Sequence, residues 1–246
     1  MNLLLVLAWA VGVTSFTLLG SLYARRYERS DLLIGLYISF VLTAQILAAK
    51  IAVFDLGIGT FTGPAGVLVF SVTFLLTDIV NERFGRKETQ RMILIALVAQ
   101  IAMAFFVWVG AQFESAPLWS EQGKRWDMVF SLVPQITIAS WLAFIVSENV
   151  DAYIYAWFKR VTNDKHLWMR NLFSTLPALA LDSIIFIPIA FYGATWELML
   201  LAIQGQIVLK WIVGVINIPF MYANHAILVK GKDTPDKIFW EDSTPE

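Results

Sequence analysis

The chain has 246 residues, of which 58% are hydrophobic and 15% are charged, against about 25% charged residues in an ordinary soluble domain. The mean hydropathy of +0.67 agrees with this bias. Together these values exclude a soluble globular, a disordered or a fibrous protein. A net charge of −1 without a basic stretch gives no sign of nucleic-acid binding. There is no cysteine and there are only two histidines, so we expect no metal and no other cofactor.

Seven apolar segments are long enough to be candidates for crossing a membrane, which takes roughly 20 residues. Segments such as 92–99 are apolar on every side, whereas the strands of a membrane barrel alternate apolar and polar residues. We therefore predict an all-α membrane protein, a polytopic bundle of about seven transmembrane helices. In chain order, the predicted spans are 2–23, 32–54, 63–77, 92–113, 128–158, 171–196 and 198–229.

The first and the last spans have special features. The first lacks a basic stretch before it, and its apolar run continues to Leu22, past the weak cleavage-site match at 8–10. We therefore expect a retained helix rather than a signal peptide. The last span would be about 48 Å long at about 1.5 Å per residue. It should tilt, break near Pro219 or run past the membrane.

Lysine and arginine residues alternate between the two sides of the predicted spans. Four regions on one side, at 25–29, 83–91, 159–170 and 230–237, hold 14 of the 18. The opposite loops hold only Lys124 and Arg125. The positive-inside rule then places the N-terminus outside and the C-terminus in the cytoplasm. We predict a multi-pass protein of the cell (inner) membrane, with one membrane domain over 1–246. It would comprise an added helix at 1–24, a core at 32–229 and a cytoplasmic tail at 230–246.

Five charged residues lie within the predicted spans, where they are costly and usually face the bundle interior or a cavity. The helical rise places Glu148, Asp151 and Asp182 about 12–18 Å from the cytoplasmic boundary, near the middle of a core about 30 Å thick. Lys210 is nearer the middle, and Lys50 is near the outer face. A structural ion pair between Lys210 and Asp182 is one interpretation. We favour a polar ligand cavity, because five such charges exceed what a fold needs.

Further polar groups accompany these charges. Asp78, Asn81 and Glu82 share one helix face at the end of the third span, which is typical either of a solvated helix end or of a gate. Amides within spans, which often only join helices, are Gln45, Gln100, Gln135, Gln204, Gln206 and Asn217. The aromatic residues Phe70, Phe74, Trp141, Phe186 and Trp211 lie within spans as well, where such rings more often pack or face lipid than bind a ligand.

No nucleotide-binding or hydrolase motif occurs, so we predict that the protein is not an enzyme.

Three blocks of residues carry a resemblance to a known family. The first is Pro64-Ala65-Gly66 followed by FLLTDIVNERFGRK at 74–87. The second runs from Asp151 through LWMRN at 167–171 and Asp182-Ser183 to AFYG at 190–193, and the third joins Lys210 to PFMY at 219–222. Over about 32–230 the chain resembles the queuosine-precursor transporter family, also called the vitamin uptake transporter family. It departs from the usual family pattern at Gln45, Glu148 and 217–218.

The resemblance implies a six-helix core preceded by an added N-terminal helix. It also implies uptake of 7-deazaguanine precursors of queuosine: the cyano form preQ0, the aminomethyl form preQ1 or the free base. The chemistry agrees, since a carboxylate accepts both donors of a guanine-like edge, amides read its carbonyl and aromatic rings stack on it. The expected substrate-binding residues are Glu148 and Asp182 at the base edge, with Lys210, Gln45, Asp151, Asp78, Asn81, Glu82 and Lys50.

Two other functions remain open from the sequence. The chain could be the substrate-binding subunit of a multi-component, ATP-driven vitamin importer, since the six-helix core has a similar size. An intramembrane enzyme or a structural membrane protein is the third interpretation, against which the lack of a catalytic constellation counts. The expected partners are a small deazapurine and the lipid bilayer, with a possible homo-oligomer and no nucleic acid.

Overall fold

A computed structural model describes residues 3–57, 59–161 and 167–229 of the chain, and most of them are helical. The predicted tail at 230–246 lies outside these ranges. In chain order the helices are α1 (Leu3–Tyr27), α2 (Asp31–Ala48), α3 (Val67–Phe84), α4 (Arg86–Gly110), α5 (Ser120–Phe130), α6 (Val133–Val161), α7 (Leu167–Ala190) and α8 (Trp196–Val229). Two short strands, β1 (Ile51–Asp55) and β2 (Thr60–Pro64), separate α2 from α3, and a 3-10 turn (Pro117–Trp119) precedes α5.

Apolar helices confirm the predicted class of an α-helical membrane protein. Within the described residues, four helical segments are long and apolar enough to cross a bilayer, namely Asp31–Ala48, Arg86–Gly110, Pro117–Ser147 and Trp196–Ile216. Shorter apolar helices cover Val67–Asn81 and Leu176–Ala190. A helix therefore lies at each of the seven predicted positions, while the number of membrane crossings stays a prediction.

The predicted helix at 32–54 is wrong over its last residues, because α2 ends at Ala48 and a β-hairpin follows. Strands β1 and β2 pair antiparallel, with Ile51 opposite Pro64 and Asp55 opposite Thr60. At the turn, Gly57 has φ +78°, a conformation that glycine adopts without steric cost. The Gly57 N–H donates to Oδ1 of Asp55 at 3.0 Å. The third span correspondingly begins at Val67 rather than at residue 63.

Other boundaries also differ from the prediction. The segment 128–158 is divided, since α5 ends at Phe130 and α6 begins at Val133. The segment 114–127, between the predicted fourth and fifth spans, contains the 3-10 turn and most of α5. Helix α7, at the sixth predicted span, stops at Ala190, before Gly193 with φ +95°. Helix α8 continues through Pro219 to Val229 without the break that the proline suggested.

Helix α1 packs against α2, α3 and α8. Its Val13 and Ala24 are buried in a cluster with residues of α2, α3, α4 and α8. The Ser21 hydroxyl donates to Oδ1 of Asn224 at 2.7 Å, and both residues are fully buried. The Trp9 indole N–H donates to the Leu68 carbonyl at 3.3 Å. These contacts tie the first helix to α3 and α8, so α1 supports the same core as the later helices.

Two glycines allow the hairpin and the start of α3 to lie directly against neighbouring helices. A Cβ atom at Gly205 of α8 would overlap the Thr62 carbonyl oxygen of β2. A Cβ atom at Gly66 would overlap the Ala44 carbonyl oxygen of α2. The Ala65 N–H also donates to the Lys50 carbonyl at 2.8 Å. The hairpin is thereby held against α8, and the start of α3 is held against α2.

We predict that Gly205→Ala destabilises the protein by about 1–3 kcal/mol, because the new methyl group overpacks the contact with β2. Gly214→Ala on the same helix is the matched control. A Cβ atom there meets no atom within 4 Å, and alanine favours helix by up to about 1 kcal/mol. Thermal unfolding of the two variants in detergent measures the difference. Equal melting temperatures would contradict the close packing of α8 on the hairpin.

Candidate functional site

A cavity with both apolar and polar lining residues lies in the bundle, where α2, α3, α6, α7, α8 and the end of β2 meet. Its volume is about 40 Å³, which has room for about three water molecules. Helices from both halves of the chain contribute to its wall. The cavity is lined by Ala44, Gln45, Ala48, Pro64, Gly66, Val67, Phe70, Ile136, Ser140, Asp182, Phe186, Gln206 and Lys210.

A buried ion pair dominates the electrostatics of the cavity. Nζ of Lys210 on α8 donates to Oδ2 of Asp182 on α7. The exposed fractions of Lys210 and Asp182 are only 2% and 7%. Lys210 Nζ also lies 5.4 Å from the centroid of the Phe70 ring, within the range of a cation–π interaction. The predicted pairing of Lys210 with Asp182 is thus present in the structure.

Gln206 provides a free acceptor next to this pair. It lies one helical turn before Lys210, at i and i+4, and therefore on the same face of α8. Gln206 is 5% exposed, and among the described residues its Oε1 has no hydrogen-bond partner. A buried acceptor without a donor costs about 1–3 kcal/mol, and such groups are rare in folded proteins. The cavity is therefore equipped to accept an N–H from a molecule that enters it.

A second group of polar side chains joins α2, α4 and α6 behind the cavity. Gln45 lines the cavity, and its Nε2 donates to Oε1 of Gln100. The Thr137 hydroxyl lies 2.8 Å from Oε1 of Gln45, and the Trp141 indole N–H donates to Oε1 of Gln100 at 3.1 Å. All four polar groups have partners, so Gln45 is held in one position.

The structure brings together three of the predicted site residues, namely Asp182, Lys210 and Gln45, and adds the aromatic rings of Phe70 and Phe186. Lys50, Asp78 and Asn81 have exposed side chains and do not line the cavity. The side chains of Glu148, Asp151 and Glu82 lie outside the described residues. Glu148 follows Ser140, the last α6 residue of the lining, by eight positions, about 12 Å along the helix axis.

Gln206 and Ser140 are the polar lining residues that sequence reasoning did not place in the site. Gln206 was recognised only as one of several amides within spans, although its i, i+4 spacing from Lys210 was a usable signal. Ser140 carries no signal in the sequence. The hairpin that closes one side of the cavity was also missed, although two glycines at 57 and 59 follow an apolar run rich in strand-forming residues, typical of a hairpin.

A multi-helix membrane bundle with a polar cavity buried between its helices has the architecture of a membrane transporter. Residues 64–224 match the family described as "Putative vitamin uptake transporter", and the chain belongs to this family. A relative from Bacillus subtilis (strain 168), named "Probable queuosine precursor transporter", is 28% identical over 164 residues, which are 66% of this chain and 71% of the relative. No solved structure matches the chain.

Membership of this family establishes the general role of the chain. It is a multi-pass transporter that lies in a lipid bilayer and binds a small-molecule substrate. The matched segment contains all the lining residues from β2 to α8, and only the α2 residues of the cavity precede it. The family resemblance found in the sequence is thus confirmed.

We predict that Lys210→Met destabilises the protein by about 3–5 kcal/mol, because Asp182 is then a buried charge without a partner. The double variant Asp182→Asn/Lys210→Met removes both charges and should regain most of that stability. Thermal unfolding of both variants in detergent gives the comparison, with Lys124→Met at an exposed position as control. A double variant no more stable than Lys210→Met would show that the two charges do not compensate each other.

Proposed function

We propose that this transporter imports a 7-deazaguanine precursor of queuosine, such as preQ0, preQ1 or the free base, across the cell membrane into the cytoplasm. Family membership and the name of the bacterial relative support this proposal. The observation that carries it is the unpaired, buried oxygen of Gln206 beside the Asp182–Lys210 pair. This group of acceptors and donors matches the hydrogen-bonding edge of a guanine-like base.

The chemistry of the cavity suggests a role for each side chain. A guanine-like base presents a ring N–H and an exocyclic amine next to a carbonyl. The Asp182 carboxylate and the Gln206 oxygen are acceptors for the two donors, while Lys210 and the Gln45 amide are donors for the carbonyl. Phe70 and Phe186 flank the cavity and offer ring faces or edges to a flat base. Lys210 would then exchange part of its contact with Asp182 for a contact with substrate.

The size of the cavity bears on the transport cycle. Room for about three water molecules is less than a two-ring base requires. Substrate entry would therefore require the elements of the cavity wall to move apart. A site between helices near the middle of the bilayer can open to either side when the helices rock. In this proposal the described conformation is the closed one, and the solute displaces water as the bundle opens.

In this proposal the remaining predicted site residues line the path to and from the cavity. Glu148 and Asp151 would supply carboxylates on α6 between the cavity and the cytoplasm. Asp78, Asn81 and Glu82 would line the cytoplasmic gate at the end of α3. Lys50 would lie near the outer mouth, where α2 gives way to the hairpin.

The proposal fixes an orientation, with the N-terminus outside and the C-terminus in the cytoplasm, because 14 of the 18 basic residues follow odd-numbered spans. A reporter enzyme fused after Glu246 should be active if it is of the type that works only in the cytoplasm. A paired fusion of a reporter active only outside the cell should be silent. The opposite result would reverse the direction assigned to every gate residue.

We predict that purified protein binds preQ0 and that Gln206→Met weakens this binding about fivefold to tenfold, the loss expected for one hydrogen bond. Methionine keeps the length of the side chain but offers only a weak acceptor. The variant should be at least as stable as the wild type, because it removes an unpaired buried oxygen. Competition binding and thermal unfolding are measured together.

Gln204→Met is the matched control for this experiment. Gln204 lies two positions earlier on α8, where its side chain is exposed and outside the cavity lining. The Gln204→Met variant should bind preQ0 as the wild type does. Normal preQ0 binding by Gln206→Met would remove Gln206 from the site, and absence of preQ0 binding by the wild type would exclude preQ0 as the substrate.

A further inference from the structure

Gln45 lines the cavity and donates to Gln100, which in turn accepts a hydrogen bond from Trp141. Neither Gln100 nor Trp141 lines the cavity. We propose that Trp141 and Gln100 are positioning residues that fix which end of the Gln45 amide can face the substrate. They would thereby make the transporter select a base with a ring carbonyl over the analogue with an amine at that position. This inference rests on the proposed function, because it concerns the same cavity and the same substrate.

The orientation of Gln100 follows from two partners that each have a single hydrogen-bonding role. The Trp141 indole nitrogen can only donate, and it lies 3.1 Å from one terminal atom of Gln100. The Ala96 carbonyl oxygen can only accept, and it lies 3.2 Å from the other terminal atom. The atom facing Trp141 must therefore be Oε1, and the atom facing Ala96 must be Nε2. The reverse orientation would oppose two donors on one side and two acceptors on the other.

The orientation of Gln45 follows from that of Gln100. Because Gln100 presents an oxygen, the terminal atom of Gln45 that faces it must be Nε2, and the contact is a hydrogen bond. Oε1 of Gln45 then lies on the opposite side, 2.8 Å from the Thr137 hydroxyl. Thr137 tolerates either arrangement, because a hydroxyl both donates and accepts and also lies 2.8 Å from the Val133 carbonyl. The choice is thus made by Trp141 and Ala96 and not by Thr137.

Because these side chains are buried, the reverse orientation of the Gln45 amide would be costly. Gln45, Gln100 and Thr137 are 4%, 8% and 1% exposed, so water gives little help to a mismatched pair. An amide nitrogen carries two hydrogens, and Gln45 donates one of them to Gln100. The second hydrogen is the donor that Gln45, as a lining residue, can offer to a ligand. A ring carbonyl accepts it, whereas an exocyclic amine at the same place would set donor against donor.

The experiment compares two probes and several variants of the full-length protein in detergent. The probes are 7-cyano-7-deazaguanine and its 2,6-diamino analogue, in which an amine replaces the ring carbonyl. Since the analogue also lacks the neighbouring ring N–H, the measured quantity is the change in the ratio of the two Kd values between proteins. Thermal unfolding is recorded for each variant.

Gln100→Met removes the oxygen that orients Gln45, and we expect the Kd ratio to move toward the diamino analogue by roughly tenfold. Gln100→Glu keeps an oxygen toward Gln45 and Trp141 in either protonation state, so it should retain the ratio of the wild type. Gln112→Met is the control for the same substitution, at an exposed position just after the end of α4. A purely structural role for Gln100 would lower the melting temperature without moving the ratio.

An unchanged ratio in Gln100→Met, or an equal change in Gln100→Glu, overturns the inference. If Gln100→Met does not fold, Trp141→Phe carries the test: it removes one of the two contacts that orient Gln100 and should shift the ratio about threefold in the same direction. In that case an unchanged ratio overturns it. If the wild type binds neither probe, the proposed substrate is wrong. If the wild type binds and no variant changes the Kd ratio, only the inference about Trp141 and Gln100 is wrong.

Discussion

The ion pair between Lys210 and Asp182 is the constraint on which the centre of this protein depends. Either charge alone would be costly at this depth, so α7 and α8 must keep the two groups in contact whenever the cavity is dry. Phe70 from α3 lies against the lysine, and Gln206 lies one turn away on α8. The polar groups of the cavity, in a chain that is 58% hydrophobic, are therefore arranged around one ion pair between two helices. A substrate that competes for this bond would loosen both helices at once.

Much of the fold follows from hydropathy, and the errors have a common cause. The seven helix positions were predictable because each contains a long apolar run. The residues after Ala48 are just as apolar, so hydropathy extended α2 through Phe54 where the chain forms β1. A short apolar run fits a strand as well as a helix. The two glycines at 57 and 59 indicate the turn of a hairpin, but hydropathy takes no account of them.

The site was partly predictable for a similar reason. Asp182 and Lys210 stand out because charges are rare in apolar segments, and their pairing followed from their depth on adjacent helices. The i, i+4 spacing of Gln206 from Lys210 was the one signal that set it apart from the other amides. Its missing partner could not be predicted, because that requires knowing where every neighbouring donor lies. The same holds for Gln100 and Trp141, whose roles depend on contacts between α4 and α6. Their positions in the sequence are 41 residues apart.

The β-hairpin has a consequence for the lipid around the protein. A sheet of two strands leaves backbone amides and carbonyls at its edges, and hydrocarbon chains cannot satisfy them. β2 lies against α8 through Thr62 and Gly205, while Val53 on β1 is exposed. Such an element is stable only where headgroups or water reach it. The exposed edge of the hairpin therefore limits how far acyl chains can extend along this end of the bundle.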